Sequence, residues 1–303
     1  MSRIYDASQR ADLAQRAVQD PDATDMVEPF AAPGAEKLPA RTSGILENIA
    51  LYPWNPSIVS LPTLADRSDS IEQFRGLRSQ IHQLGDQSPL KTILVSSGLP
   101  GEGKTFVAAN LAMSLARNEN NRILLIDGDL RGPTLHTILG APNVPGLTEY
   151  LAGAADVSDI LQRNRNSSIV NAGQVRSIPN LTFIPAGAGG DSSSELVANH
   201  RIEELLAALA PHFDWILVDS PPVLAYADAI DLARAADGVL LIARGASTPF
   251  DVAQRAQIAF SSSRILGFVL NAVKDAPCSS NYYYGKQEAG SGLHFQKDKR
   301  RQG

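Results

Sequence analysis

The chain has 303 residues, of which 44% are hydrophobic, and its formal net charge is −5. This length suits one α/β domain with flanking segments, and the acidic balance argues against nucleic acid as a partner. Cys278 is the single cysteine, which excludes an intramolecular disulfide or a cysteine-based metal cluster and agrees with a reducing cytoplasm. No apolar run is long enough to cross a bilayer, so we expect any function at a membrane to depend on a partner.

The first 66 residues differ in composition from the rest of the chain. Seven prolines fall between residues 21 and 62, and the apolar residues there have no regular spacing. This composition predicts a disordered arm or linker over 1–66, with a candidate short helix over 2–19. The sequence leaves open whether the arm is a spacer or a peptide that docks onto a partner.

The next segment predicts an amphipathic helix. We expect it to begin near Asp69, which forms a capping box with Glu72, and to end at Gly85. Apolar residues recur along one face, which predicts packing onto a core, whereas the opposite face is charged. The apolar face consists of Phe74, Leu77, Ile81 and Leu84, and the charged face consists of Glu72, Arg75 and Arg78.

Short apolar runs then alternate with helical patterns. The runs suit strands that are buried on both faces and cover residues 92–95, 123–126, 181–185, 215–218, 239–243 and 266–270. The helical patterns cover residues 106–117, 195–209, 227–235 and 251–261. This alternation predicts an α/β fold with a mostly parallel, doubly wound sheet and helices on both of its faces.

Residues 97–105 read Ser-Gly-Leu-Pro-Gly-Glu-Gly-Lys-Thr between the first of these strands and a helix. This is the phosphate-binding pattern G-x-x-x-x-G-K-[ST] in its expected setting. The glycines let backbone N–H groups face a phosphate, Lys104 adds a positive charge, and Thr105 offers a hydroxyl to Mg²⁺. The positive end of the following helix dipole points at the same anion. The residues expected to bind the nucleotide are Gly98, Pro100, Gly101, Glu102, Gly103, Lys104, Thr105 and Phe106.

Acids follow two other predicted strands, at Asp127-Gly-Asp129 and at Asp219. Ligands gather at the carboxyl ends of parallel strands, so Asp219 is expected to hold Mg²⁺ directly or through water. Asp127 and Asp129 would share a side of an extended segment. One could then support the metal while the other accepts a proton from an attacking hydroxyl. The predicted metal site therefore comprises Thr105, Asp127, Asp129 and Asp219.

Three further positions have more than one interpretation. Arg131 could neutralise phosphate charge or form a structural ion pair. Asp228 is expected to cap a helix, with nucleotide sensing as the less favoured alternative. Asn271 ends the last predicted strand, where it could contact the adenine edge or simply form a turn.

The C-terminal residues 277–303 are polar and glycine-rich, and they contain Tyr282, Tyr283 and Tyr284. We expect no fixed structure there.

Residues 96–105, 126–131 and 217–222 resemble the Walker A, A′ and B motifs of the bacterial tyrosine kinases, the autokinases of capsule and exopolysaccharide export. The pattern Glu72-x-x-Arg75-x-x-Arg78 resembles the oligomerisation helix of that family, and the three tail tyrosines resemble its C-terminal tyrosine cluster. The likeness covers residues 67–284. It implies a P-loop NTPase fold of the deviant Walker type, related to MinD and ParA. The chain departs from the family in having Gly132 where a second basic residue is frequent, and in the shortness of its tyrosine cluster.

The resemblance implies ATP and Mg²⁺ as cofactors and a kinase domain over 67–276, followed by a flexible tail over 277–303. Lys104 and Thr105 would bind the phosphates and the metal. Asp127 would lie near the incoming tyrosine hydroxyl, and Asp129 and Asp219 would complete the metal site. The implied catalytic residues are Lys104, Asp127 and Asp129.

Family members assemble into rings in which a tail tyrosine of one subunit enters the active site of its neighbour. The resemblance therefore implies a homo-oligomer, a phosphotyrosine phosphatase and a transmembrane activator of the chain-length-regulator type. Such an activator would recruit a cytoplasmic kinase to the inner face of the membrane.

Two other functions fit part of the sequence. A ParA- or MinD-type ATPase switch would share the fold, but such proteins carry a second lysine directly after the first loop glycine, where this chain has Leu99. A regulatory protein that binds nucleotide without transferring phosphate would not need the three aspartates.

Overall fold

The computed structural model describes residues 49–57, 59–64, 69–165, 168–171, 174–177, 180–189, 196–197 and 200–273. The helix predicted over residues 2–19 and the tail with its three tyrosines lie outside the described residues.

A parallel sheet forms the centre of the molecule. The described strands are β1 (Ala50–Tyr52), β2 (Thr92–Ser97), β3 (Ile123–Asp127), β4 (Gln162–Asn164), β5 (Ser168–Asn171), β6 (Gln174–Ser177), β7 (Leu181–Ile184), β8 (Trp215–Asp219), β9 (Gly238–Arg244) and β10 (Ile265–Asn271). Eight of these described strands form one sheet in the order β1-β4-β7-β3-β8-β2-β9-β10. Only the β4–β7 pair among them is antiparallel. Strands β5 and β6 pair separately as an antiparallel ribbon.

Helices cover both faces of this sheet, as the doubly wound prediction requires. They are α1 (Asp69–Gln87), α2 (Lys104–Ala116), α3 (Leu135–Leu139), α4 (Leu147–Leu151), α5 (Val157–Ile160), α6 (Arg201–Leu209), α7 (Asp228–Arg234) and α8 (Phe250–Ala259). Buried residues of α1, α2 and α3 pack against one face of the sheet, and those of α4 to α8 pack against the other. The central strands β2, β3 and β8 are buried along their whole length, which explains why their sequences are continuously apolar.

The predicted disordered arm is wrong in its last part. Residues 50–52 form the edge strand β1, which pairs in parallel with β4. Trp54, Leu61 and Leu64 then enter the core with at most 6% of their surface exposed, and the Trp54 ring meets Phe183 edge-on at a centroid distance of 6.0 Å. The prolines of this stretch therefore separate short anchored pieces, which have no helical or strand period for the sequence to reveal.

Two helix boundaries also differ from prediction. Helix α1 passes through Gly85 to Gln87. A Cβ at Gly85 would lie 3.3 Å from Cη2 of Trp215, so this glycine permits close packing and does not end the helix. Residues 196 and 197 are helical and α6 begins at Arg201, so the single helix predicted over 195–209 is interrupted. The interruption lies at His200, whose φ of 55° is incompatible with a helical backbone.

Candidate active site

Three neighbouring strand ends bring the predicted site residues together. Strands β3, β8 and β2 are adjacent in the sheet, and Asp127 pairs in register with Asp219. The loop from 98 to 103 leaves the end of β2 and continues into α2. The glycine-rich loop and both acidic strand ends therefore share one edge of the sheet, where ligands bind in folds of this kind.

The backbone of this loop requires glycine at two positions. Gly101 has a φ of 80° and Gly103 has a φ of 94°, which side chains with a Cβ adopt only with strain. Helix α2 begins directly afterwards at Lys104, two residues earlier than predicted. The N–H groups of the loop and of the first helical turn are thus arranged as an anion-binding site requires.

Neighbouring loops brace the same backbone from outside. The buried Glu102 carboxylate accepts a hydrogen bond from the Leu99 N–H at 2.8 Å and another from the Thr248 hydroxyl. Arg244 donates to the Gly101 carbonyl at 3.1 Å. The Glu102 side chain therefore holds the loop in shape, a contribution that the motif alone does not indicate.

Asn271 makes a second brace at the end of β10. Its Nδ2 donates to the Glu102 carbonyl at 3.0 Å, and its Oδ1 accepts from the Ala272 N–H at 2.9 Å. A Cβ at Gly103 would lie 2.0 Å from that Nδ2, so the glycine leaves room for Asn271. Asn271 and Phe106 also line a neighbouring pocket of about 190 Å³ between α1, α2 and β10. Contact of these two residues with adenine stays a prediction.

Lys104 lies among the acids at the bottom of the site. Its Nζ is 2.6 Å from Oδ2 of Asp129 and 4.0 Å from Oδ1 of Asp219. Burial acts to lower the pKa of the Lys104 ammonium, but the charges of Asp219 and Asp129 outweigh it and raise that pKa. The lysine is therefore fixed in its charged form, as phosphate binding requires.

Asp127 and Asp129 differ in their surroundings. Asp127 is fully buried and accepts hydrogen bonds from the backbone N–H groups of Leu135 at 3.1 Å and of Asp129 at 3.3 Å. Burial, followed by the nearby charge of Asp219, raises its pKa well above the usual value. Asp129 lines the open cleft, where its Oδ1 accepts a hydrogen bond from the Gly132 N–H at 3.1 Å.

Asp219 is a second carboxylate whose charge is disfavoured by burial. It is fully buried, and neither oxygen has a hydrogen-bonding partner at standard geometry among the described residues. Burial raises its pKa to about 6, although the Lys104 charge acts in the opposite direction. Two enclosed oxygens without a donor fit a bound cation. Within the described ranges no three His, Cys, Asp or Glu side chains form a complete metal site, so phosphate and water oxygens would have to supply the remaining ligands.

Comparisons with known proteins agree with this geometry. A family model described as an AAA domain matches residues 90–247. Tyrosine-protein kinase YwqD of Bacillus subtilis is 32% identical over 224 residues, which cover 73% of this chain and 89% of YwqD. The chain belongs to the bacterial tyrosine-kinase family.

Longer and experimentally solved relatives support the same assignment. Tyrosine-protein kinase Wzc of Salmonella typhimurium is 32% identical over 206 residues, which cover 67% of this chain but only 27% of Wzc. The crystal structure of the chimerical protein CapA2B2 superposes with a TM-score of 0.62 at 26% identity, covering 75% of this chain and 96% of that one. The chain described here therefore aligns with only one part of Wzc, but with nearly all of YwqD and of CapA2B2.

One cluster of side chains beside the phosphate-binding loop of this tyrosine kinase was not predicted from the sequence. Arg131 Nε lies 2.9 Å from Oδ2 of Asp228, and its guanidinium carbon lies 4.6 Å from the centroid of the Tyr226 ring. The expectation that Asp228 caps a helix is wrong, because Asp228 is the first residue of α7 and Ala227 is the cap. Arg131 forms the ion pair that the sequence left as one of two options.

Two of the three residues of the predicted oligomerisation motif on α1 face solvent. Glu72 and Arg75 form an exposed ion pair at 3.0 Å. Arg78 turns toward α2 and donates to the Ser114 carbonyl at 2.6 Å. A role of these three residues in assembly stays a prediction. No helix in the described part of the kinase is long and apolar enough to cross a membrane.

Proposed function

We propose that the chain is an ATP- and Mg²⁺-dependent protein-tyrosine kinase that phosphorylates tyrosines in the C-terminal segment of a neighbouring copy. The observation that carries this proposal is the meeting of Lys104, Asp129 and the buried Asp219 at three adjacent strand ends. Membership in a family whose named relatives are tyrosine-protein kinases supports the choice of tyrosine as acceptor.

The residues present fit the nucleotide and the metal. The N–H groups of the loop from Gly101 to Lys104 would hold the phosphates, and Thr105 and Asp219 would hold Mg²⁺. The ion would supply positive charge that offsets the charge on the transferred phosphoryl group. Lys104 is already directed into the site by Asp129, and it would donate to the phosphate oxygens there.

Transfer needs a group that accepts the phenol proton. The phenol oxygen bonds to the γ-phosphorus as the bond from that phosphorus to the β–γ bridging oxygen breaks, and ADP leaves. Both acids accept hydrogen bonds, Asp129 from Lys104 and the Gly132 N–H and Asp127 from two backbone N–H groups. Asp129 lines the cleft whereas Asp127 is fully enclosed, so Asp129 is better placed to accept the proton. Asp127 instead accepts the Asp129 N–H and so holds the segment that carries Asp129.

The remaining parts of the proposal concern assembly and location. The phosphoacceptors would be Tyr282, Tyr283 and Tyr284, presented in trans within a ring that forms through Glu72, Arg75 and Arg78. The kinase would act on the cytoplasmic side of the membrane with a transmembrane activator of polysaccharide polymerisation and export, and a phosphotyrosine phosphatase would reverse its action. A flexible tail beside several sites raises the effective concentration of the acceptor.

The test is incubation of the purified protein with labelled ATP and Mg²⁺, followed by mapping of the labelled peptides. We expect label on the tail tyrosines, loss of all label in Lys104→Met, and loss of most label with retained ATP binding when the three tyrosines become phenylalanine. Release of free phosphate with no label on protein would contradict the proposal and favour an ATPase switch. Undiminished label in the triple variant would place the acceptor elsewhere in the chain.

A further inference from the structure

The cleft beside the phosphate-binding loop has two chemically different sides. Its volume is about 440 Å³. Gly101, Gly103, Lys104 and Thr105 form the side that would hold the phosphates. The other side includes Arg131, which follows β3, and Pro222 and Tyr226, which follow β8. The residues of this second side are not needed to bind the triphosphate in the way proposed above, so they could contact a different ligand.

Tyr226 is placed for contact with a ligand. Among the described residues that line this cleft it is the one aromatic side chain, and 39% of its surface is exposed. An exposed aromatic ring beside Pro222 gives the cleft an apolar surface next to the charged residues Lys104 and Asp129. Such a surface suits a ligand that has a flat apolar ring and one polar end.

The ring of Tyr226 packs against an arginine that is itself fixed by an ion pair. The Arg131 guanidinium lies 4.6 Å from the ring centroid, within the range of a cation–π contact. Asp228 in turn fixes Arg131 at 2.9 Å, and only 7% of the Asp228 side chain is exposed. The partly enclosed carboxylate therefore orients the guanidinium, which orients the ring, before any acceptor arrives. Such preorganisation reduces the ordering cost of binding.

The direction of phosphoryl transfer places the acceptor on this side. The attacking oxygen must approach the γ-phosphorus opposite the leaving group, roughly in line with it. Since the loop and α2 would hold the rest of the nucleotide, the acceptor approaches from the side that Arg131 and Tyr226 line. Resting on the function proposed above, we propose that Tyr226, held by Arg131 and Asp228, binds the aromatic ring of the acceptor tyrosine.

This contact would make the kinase prefer tyrosine as the phosphoryl acceptor over a residue with an aliphatic hydroxyl. Two aromatic rings gain stability beyond their buried area when they meet edge-on or offset, whereas the short side chain of serine would not reach the ring of Tyr226 in the same way. Tyr226 is thus a residue that determines acceptor specificity and takes no part in bond making.

The experiment uses an enzyme in which Tyr282, Tyr283 and Tyr284 are phenylalanine, so that label is measured only on an added peptide of residues 279–288. Tyr226→Ala is expected to raise the KM for this peptide about threefold to tenfold. The KM for ATP and the melting temperature should stay unchanged. Tyr226→Phe keeps the ring and should restore the peptide KM. Phe250→Ala removes an aromatic residue that is 83% exposed and does not line the cleft, and it serves as the matched control.

Three results would overturn the inference alone while transfer to the peptide persists. These are an unchanged peptide KM in Tyr226→Ala, a parallel rise in the KM for ATP, and label on Tyr226 itself in the parent enzyme. Failure of the parent enzyme to label any peptide, although it binds ATP, would instead overturn the proposed kinase function and this inference with it.

Discussion

Replacing Asp219 with asparagine should stabilise the nucleotide-free protein at alkaline pH while it abolishes phosphotransfer. Asp219 is fully buried without a hydrogen-bonding partner at standard geometry among the described residues. Its charge also raises the pKa of the buried Asp127. The folded state therefore bears an electrostatic cost at this position, which is relieved when the charge is removed. A side chain kept for function in this way destabilises the fold that holds it.

The magnitude follows from the pKa. A rise from 3.8 to about 6 costs about 3 kcal/mol of unfolding free energy at pH 8, because each tenfold change in proton affinity is about 1.4 kcal/mol. The folded pKa lies above the unfolded one, so the folded state binds more protons between these values and stability falls as the pH rises through that window. At pH 5 the cost is about half as large. The buried amide of asparagine offsets part of the gain, by about 1–2 kcal/mol at either pH.

The assay is urea unfolding of wild type and Asp219→Asn without nucleotide or metal, at pH 5 and pH 8. The stability of the variant relative to wild type should rise by about 1–2 kcal/mol from pH 5 to pH 8, whatever the cost of the amide. Glu119→Gln removes an exposed acid and should show no such change. A relative stability that is equal at both pH values, or that falls toward pH 8, would refute the reasoning.

Two further substitutions test the loop and the corrected N-terminal boundary. Gly103→Ala should weaken ATP binding at least tenfold in a filter or calorimetric assay, because its Cβ would displace the Asn271 amide as well as strain the backbone. Gly101→Ala has a similar φ but nothing within 4 Å of its Cβ, so an equal loss in both variants would argue against the Asn271 brace. Trp54→Ala should lower the unfolding free energy by about 3–5 kcal/mol and Val59→Ala, which is 92% exposed, by less than about 0.5 kcal/mol. A Trp54→Ala protein as stable as wild type in thermal unfolding would mean that residues 50–64 are not part of the folded domain.

The sequence determined the chemistry that is encoded locally. The strand before the loop, the glycines at 101 and 103 and the helix after it form one continuous segment, so their backbone requirements are readable from residue type alone. Continuous apolar runs likewise predicted the central strands and the helices on both faces, because burial on two sides leaves no alternation in the sequence. The same reasoning predicted that Asp219 and Asp127 would meet at one edge of the sheet.

Only the tertiary structure decided which side chains face each other across that edge. Asp127 is enclosed whereas Asp129 lines the cleft, and the space left by Gly103 admits Asn271 from β10. The stack of Tyr226 and Arg131 on Asp228 joins two strand connections that are distant in sequence. Such contacts depend on strand order and on the path of each loop. Strand order and loop paths cannot be derived from the spacing of residues along the chain. Periodicity shows which side of a helix or strand is buried, but it does not show which residues lie opposite that side.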